Sequence, residues 1–408
     1  MVTLPTKREV LAIEEAHRAA QARLGIAGAY LALRDWGTVN PQAPDTTADA
    51  WLGRSLQMIR ALRRKSGRLA VAYYRLARAI ETGYTLGIPE DSANPEQMTM
   101  GKLRKQYLDL LLEVAGLADP EVEPTKAEDS DEAWFEEELK HASNTGDGAL
   151  AQTDLALYIE ELVDVTEYGT DEHKVQVEDF EWLDSEEDLE YIEELYADSL
   201  YHEAVVSAEK KRRALESDTR EVTAEVAFAT LQDSHEKSGN RGAGKVDEAG
   251  LDAGRSILDH AMNNDARVKM VARGTGPNPC AFCSMLASRG FAFNTVESAS
   301  ERKLNAKKIA NFTYKNNASD ADEIKKFHPN CHCFPVVRWA DIPDPTAPGR
   351  SQEFIDSWHK VTRGYSYRTE MKDGKTIVHN NALNAWRRHW NKVRREEERK
   401  NKSSIPGG

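Results

Sequence analysis

The sequence predicts an α+β protein that is predominantly α-helical. Apolar residues recur at helical spacing over long stretches of the N-terminal part, whereas the short runs that favour β-strands flank a group of cysteines further along the chain. A hydrophobic fraction of 40% and a charged fraction of 30% are typical of a hydrophilic chain. At 408 residues the chain has room for two or three domains and a sizeable core.

The N-terminal part, residues 1–117, is expected to be a domain of long helices. A first helix is predicted over 7–35, and a proline-containing turn at 40–44 separates it from a second helix over 45–83. The second helix is markedly basic, and two interpretations compete: a solvated cationic face, and a contact with DNA or an acidic partner. Its cations are Arg60, Arg63, Arg64, Lys65, Arg68, Arg75 and Arg78.

The middle of the chain is strongly acidic. Residues 111–200 carry 30 Asp and Glu against 3 Lys and Arg. We predict amphipathic helices over 152–166 and 186–200 and a flexible linker over 120–150, so that the acidic region 118–200 is partly flexible. Three roles remain open for it: it shields a basic surface of this chain, it shields one of a partner, or it keeps the protein soluble.

The third region, 201–340, mixes helices with strands. Helices are predicted over 202–232 and 247–262, and the glycine-containing segment 238–242 between them is predicted to be a turn. Strands are expected over 268–272, 291–293 and 334–339. The last region, 341–408, is a basic extension.

All four cysteines lie in one short part of the chain, as Cys280-x-x-Cys283 and Cys331-x-Cys333. A random distribution would place four cysteines in one such window in roughly one chain per hundred. The sequence has neither a signal peptide nor a membrane-spanning run, so we expect a reducing cytoplasm, where clustered cysteines are metal ligands more often than disulfides. The spacing therefore predicts a tetrahedral zinc site.

Six side chains compete for the four ligand positions of that site. The first cysteine pair is the firmest, because a two-residue spacing sets both sulfurs on one turn. The second pair alternates, so in an extended segment both sulfurs point to the same side. Four thiolates, or three thiolates with His328, complete the site, and His332 is the weakest candidate.

Other roles for the cysteines fit the pattern less well. Buried thiols without a metal would not explain the spacing. A redox pair would leave the second group unused, and a nucleophilic Cys/His dyad needs a geometry that local sequence does not show. A closed site with four protein ligands leaves no position for a substrate, which argues for structural zinc and against zinc catalysis.

Two motifs around the cysteines have the form of a known family. One is Asn278-Pro279-Cys280-x-x-Cys283 with a small-residue helix ending in Arg289-Gly290, and the other is Phe327-His328-Pro329-x-Cys331-x-Cys333. Over about residues 245–340 the chain resembles the MuF-like minor head proteins of tailed bacteriophages, of the actinobacteriophage type often labelled capsid maturation protease. The resemblance implies that 201–340 is a small zinc-stapled α/β head-morphogenesis module. It also implies that the family's Cys/His positions correspond to Cys280, Cys283, His328, Cys331 and Cys333.

The same resemblance implies a location and partners. We expect a virion component in the capsid interior near the portal, assembled in the host cytoplasm. Its partners would be the portal protein and the major capsid protein, with packaged DNA as a further one. Neither a membrane nor a small-molecule substrate is predicted.

The residues themselves give no support for proteolysis. The chain has no Gly-x-Ser-x-Gly elbow and no His-Glu-x-x-His motif. We therefore expect a non-catalytic minor capsid protein of head morphogenesis, with a capsid maturation protease as the enzymatic alternative and a zinc-bearing nucleic-acid-binding protein as the second. The C-terminal segment 379–402 bears on the latter, and three interpretations of its two tryptophans and many cations are open. They touch DNA or an acidic partner, the tryptophans of a solvated helix dock on the core, or the segment contacts the acidic region 111–200 of the same chain.

Overall fold

The computed structural model describes most of the chain: residues 4–93, 98–116, 134–135, 149–165, 172–183, 189–217, 223–276, 279–291, 331–339, 351–365, 367–372 and 375–404. It is mostly helical with a few short strands, as predicted. The chain forms two compact units, one of Met1–Asn264 with His328–His332, the other of Asp265–Phe327 with Cys333–Gly408. The four regions drawn from charge and motifs stay a prediction.

The first unit is built from long helices. In chain order its elements are α1 (Leu4–Trp36), α2 (Pro44–Thr47), α3 (Asp49–Thr82), β1 (Tyr84–Leu86), a 3₁₀ turn (Pro89–Ala93), α4 (Met100–Ala115), α5 (Ala149–Val165), β2 (Gln176–Glu178), α6 (Leu189–Leu200), a π-helical turn (Tyr201–Val206), α7 (Ser207–Glu216) and α8 (Ala224–Asn264). Helices α1, α3 and α8 pack pairwise on one another and supply most of the core. Left-handed glycines end α3 and α4, at Gly83 (φ 76°) and Gly116 (φ 72°).

The predicted turn at 238–242 is wrong, because α8 continues through it from Ala224 to Asn264. The glycines there and further along serve close helix packing instead. A Cβ on Gly242 would lie 2.8 Å from the Trp51 ring, and one on Gly250 would lie 2.6 Å from the Cβ of Leu62. Both positions need glycine because α3 approaches closely there. The glycines thus have a structural role, but it is helix packing and not a turn.

The expected solvated face of α3 is also wrong in part. Four of its seven predicted cations are buried, and three of those four pair with carboxylates from other elements. The pairs are Lys65 with Glu113, Arg75 with Asp91, and Arg78 with Glu178. Packing of α1, α4 and α8 around α3 encloses these side chains, and the three carboxylates compensate their charge.

Part of the acidic region packs onto the basic helices of the same unit. Strand β2 pairs in parallel with β1, with Tyr84 opposite Gln176. The indole of Trp182 donates to the carbonyl of Gly87 at 2.7 Å, and Glu193 of α6 lies 2.9 Å from Arg60 of α3. The acidic region thus pairs with at least one cation of the same chain, and its role stays a prediction. The predicted linker over 120–150 lies almost entirely outside the described residues.

The second unit combines two short antiparallel strand pairs with helices. Its elements are β3 (Met270–Gly274), α9 (Ala281–Ala287), β4 (Phe334–Arg338), α10 (Ser351–Thr362), β5 (Tyr367–Lys372), β6 (Lys375–Asn380) and α11 (Asn381–Ser404). Strands β3 and β4 pair antiparallel, close to the two predicted positions. The strand expected at 291–293 is not formed at Phe291, and 292–293 lie outside the described residues.

The two tryptophans of the C-terminal segment dock on the core of the second unit. Trp386 and Trp390 are 0% and 1% exposed, and pack with Ala287, Phe354 and Trp358. The docking interpretation of this segment is therefore the one that the structure supports for the tryptophans. Among the described residues, no helix has both the length and the apolarity needed to cross a bilayer.

Candidate metal centre

The first cysteine pair lies at the start of α9. Cys280 is the N-cap residue of this helix, in an extended conformation (φ −72°, ψ 166°), and its Sγ accepts a hydrogen bond from the backbone N–H of Cys283 at 3.4 Å. The Ser284 hydroxyl donates to the carbonyl of Cys280 at 3.0 Å. The sequence after Pro279 thus forms a tight helical turn, which carries the Cys283 thiol into the interior.

The antiparallel pairing of β3 with β4 brings the second cysteine pair close to the first. Gly274, at the end of β3, lies opposite Phe334, which directly follows Cys333 at the start of β4. The turn at 279–283 follows β3, and Cys333 directly precedes β4. Pairing of the two strands therefore brings the two cysteine-containing segments close together. A Cβ on Gly274 would lie 3.0 Å from the ring of Phe334, so glycine also lets this ring pack closely against the end of β3.

Three thiols gather at this point. The Sγ atoms of Cys283, Cys331 and Cys333 lie within 4.8 Å of one another, and the three residues are 1%, 4% and 1% exposed. With Zn–S bonds of about 2.3 Å, the sulfurs of a tetrahedral site are about 3.8 Å apart. The sulfur separations are compatible with such a site after small adjustments, so these three side chains are placed to hold a metal ion.

The remaining predicted ligands are placed differently. Cys280 does not belong to the group of three sulfurs; it is partly exposed, with its sulfur turned to the Cys283 N–H. His328 lies outside the described residues. His332 turns its Nε2 to the Asp247 carboxylate at 3.1 Å, so its ring serves a different contact. A fourth ligand would thus come from Cys280 or from His328.

A buried cation lies beside the sulfurs. The guanidinium of Arg273, on β3, donates to the Cys283 Sγ at 3.4 Å, and Arg273 is 1% exposed. Thiolates are the metal-binding form of cysteine, and a neighbouring arginine favours that form. The donor set is therefore suited to an anionic metal–thiolate centre, whose negative charge the guanidinium would offset.

Helix α8 contacts Cys331 and His332 through charged side chains. Arg255 donates a hydrogen bond to the carbonyl of Cys331, and Asp247, which is fully buried, contacts His332. Gly25 of α1 lies against the Asp247 carboxylate, where no side chain would fit. The backbone of this segment is thus anchored independently of any metal.

Sequence reasoning identified the thiols but missed the residues that hold them. Asp247 lies 85 positions before His332, and Arg255 lies 76 positions before Cys331. Arg273 is only 10 positions before Cys283, but no recognisable motif joins the two. The one available signal was a run of charged residues at helical spacing in a stretch rich in alanine and glycine. Elsewhere among the described residues, no other group of three His, Cys, Asp or Glu side chains converges in this way.

Comparison with known proteins gives one family. A family model described as VG15 protein matches residues 189–360, less than half of the chain, and this segment contains all four cysteines. No curated protein and no solved structure matches the chain. The matched segment is similar to a family of phage and viral genes, which indicates a viral gene product.

Proposed function

We propose that the protein is a structural, minor capsid component of a tailed bacteriophage, and that one zinc ion in the cysteine group stabilises its C-terminal half. The observation that carries the proposal is that the VG15 match over 189–360 encloses the buried sulfur group. The resemblance of the cysteine motifs to MuF-like minor head proteins points in the same direction. The portal protein and the major capsid protein are the proposed partners during head assembly.

The burial of the sulfurs supports a structural rather than a catalytic metal. Cys283 and Cys333 are each 1% exposed, which fits a metal enclosed by protein. Structural zinc sites are closed in this way, whereas catalytic ones keep a position open for water. Cys280 or His328 would supply the fourth ligand. Zinc bound here would link the start of α9 to the start of β4 and thereby stabilise the pairing of β3 with β4.

Mass spectrometry of purified virions tests the proposed role. We expect this chain in tail-bearing particles that have been freed of soluble host protein by density-gradient centrifugation, and in empty proheads assembled without DNA. Its absence from both kinds of particle would contradict the minor capsid role. The protease alternative predicts instead that the purified chain cleaves the major capsid protein, which a structural component does not do.

A second candidate function, contact with nucleic acid, is favoured by the outer face of α11. With the apolar side of this helix docked on the core, its other side carries a stripe of exposed cations at positions i, i+4, i+7 and i+11: Arg388, Lys392, Arg395 and Arg399. Among these, Lys392 has a carboxylate partner, Glu396 at 3.9 Å. Such a stripe suits the phosphate backbone of DNA, which is bound without regard to sequence.

Salt-dependent binding tests this second candidate. Fluorescence anisotropy of a labelled duplex should give an affinity for the full chain that falls steeply as salt rises, and replacing the four cations of the stripe by alanine should lower both affinity and salt slope. Lys105→Ala, an exposed cation on α4, is the matched control and should change neither. Binding that is unchanged in the four-site variant would exclude α11 as the contact.

A further inference from the structure

The C-terminal helix α11 contacts the backbone of the first cysteine turn through its tryptophans. The indole Nε1 of Trp390 donates to the carbonyl of Pro279 at 2.7 Å. The indole Nε1 of Trp386 donates to the carbonyl of Ala281 at 2.8 Å, and lies 3.2 Å from the hydroxyl oxygen of Ser284. The two acceptor carbonyls belong to the residues immediately before and after Cys280.

These two donors are held firmly in place. The rings of Trp386 and Trp390 are parallel, with centroids 6.0 Å apart, and Phe354 packs edge-on against Trp390 at 5.0 Å. Both indoles are buried, where water does not compete for their hydrogen bonds. A buried indole N–H needs an acceptor, so the rings and the turn stabilise each other's positions.

We propose that Trp386 and Trp390 are positioning residues of the metal centre, and that docking of α11 is coupled to metal occupancy. The inference rests on the proposed zinc site. By fixing the carbonyls on both sides of Cys280, the two indoles hold the turn in the conformation that carries the Cys283 sulfur to Cys331 and Cys333. Any metal that stabilises this turn also stabilises the acceptors of α11, and the dependence is reciprocal.

The coupling gives the C-terminal helix a function in the metal module. Roughly one hundred residues separate α11 from the turn, yet its two indoles complete the hydrogen bonding of the turn backbone. Loss of the metal would loosen the turn, remove two well-placed acceptors, and weaken the hold on α11. The exposed cationic stripe of α11 would then be presented on a less firmly docked helix.

Single substitutions to phenylalanine test the positioning role in the full chain. Trp386→Phe and Trp390→Phe keep an aromatic ring but remove the donor, and each should weaken zinc binding about tenfold or more, measured by competition with a chelator of known affinity. Trp358→Phe is the matched control: it lies in the same cluster, 5.4 Å from Trp386, and among the described residues its indole donates no hydrogen bond to the turn. Its affinity should stay close to that of the unchanged chain.

Hydrogen exchange on the unsubstituted chain tests the coupling without any risk of misfolding. Removing zinc with a chelator should speed amide exchange in 381–397 and in 279–287, while α1 and α3 remain protected as internal references. Unchanged exchange in α11 after zinc removal, or wild-type zinc affinity in both tryptophan variants, would overturn the inference while leaving the zinc site intact. A wild-type chain that binds no zinc would overturn the metal centre itself, and this inference with it.

Discussion

Helices α3 and α11 are both rich in cations, but the structure uses these cations in opposite ways. In α3, Lys65, Arg75 and Arg78 are 3%, 2% and 1% exposed and pair with carboxylates of other elements. In α11, the cations of the stripe face solvent, and the tryptophans occupy the core. The number of neighbours around a helix decides which outcome occurs: α3 is packed by α1, α4 and α8, whereas α11 packs along one side against α9 and α10.

The difference has a clear energetic consequence. A guanidinium that is taken out of water depends on its carboxylate, and removing one partner leaves an uncompensated buried charge. An exposed cation is already hydrated, so its removal changes the free energy of unfolding very little. Burial lowers the pKa of Arg75, and the neighbouring Asp91 counteracts this, which keeps the guanidinium charged. Substitutions in the two helices should therefore differ in effect several-fold.

The largest effect is expected for Asp91→Ala. This change leaves Arg75 buried without its carboxylate, and should lower the free energy of unfolding by about 3–5 kcal/mol. Denaturant unfolding followed by circular dichroism measures the change. Asp109→Ala is the matched control, because Asp109 forms a surface pair with Lys105 and its side chain is 54% exposed. A loss below about 1 kcal/mol for Asp91→Ala would mean that the buried pair is dispensable.

A pH-dependent effect is expected from His17, which stacks on Tyr73 of α3 at 4.2 Å. Complete burial lowers the pKa of His17 to about 3, while a histidine in the unfolded chain titrates near 6.5. Between these values the unfolded chain binds the additional proton, so stability is fully present above pH 6.5 and is lost as the pH falls towards 3. The contribution is about 1 kcal/mol per pH unit below 6.

His17→Phe provides the test of this pH dependence. The variant keeps a ring against Tyr73 but has no proton to bind, so its unfolding midpoint should fall less than that of the parent chain between pH 7 and pH 4.5. Equal slopes for the two chains would show that His17 is not the group responsible.

The smallest effect is expected on α11. Arg388→Ala and Arg395→Ala each remove an exposed cation without a carboxylate partner among the described residues, and should change the free energy of unfolding by less than about 0.5 kcal/mol. The same denaturant experiment measures this. A loss of 2 kcal/mol or so, the size of a buried hydrogen-bond loss, would place these side chains with the paired cations of α3 and remove the contrast between the helices.

The sequence predicted the elements whose pattern is local. Periodicity predicted α1, α3, α5 and α6, and short apolar runs predicted β3 and β4 to within two residues. It failed at Gly239 and Gly242, since a glycine that breaks a helix and one that admits a neighbouring tryptophan look the same until the partner helix is known. The β1–β2 pairing joins segments about ninety residues apart and has no local signal.

The candidate site follows the same division. Spacing alone identified the cysteines, because metal ligands in turns occur at fixed separations. It did not show that Cys280 stays outside the group of three sulfurs, with its Sγ accepting a hydrogen bond from the Cys283 N–H at the N-cap of α9. Arg255 and Trp390 donate hydrogen bonds to the backbone at the second and the first cysteine pair. Both come from helices that are distant in sequence, and neither belongs to a motif. Tertiary contacts of this kind depend on packing that sequence spacing does not encode.

Metal analysis of the purified full-length chain tests the central claim most directly. Elemental analysis combined with X-ray absorption at the zinc edge should find one zinc per chain, with three or four sulfur neighbours at about 2.3 Å. Cys283→Ser should reduce both the zinc content and the sulfur coordination number. A chain that is folded, has fully reduced thiols and carries almost no zinc after purification with zinc present would contradict the metal centre.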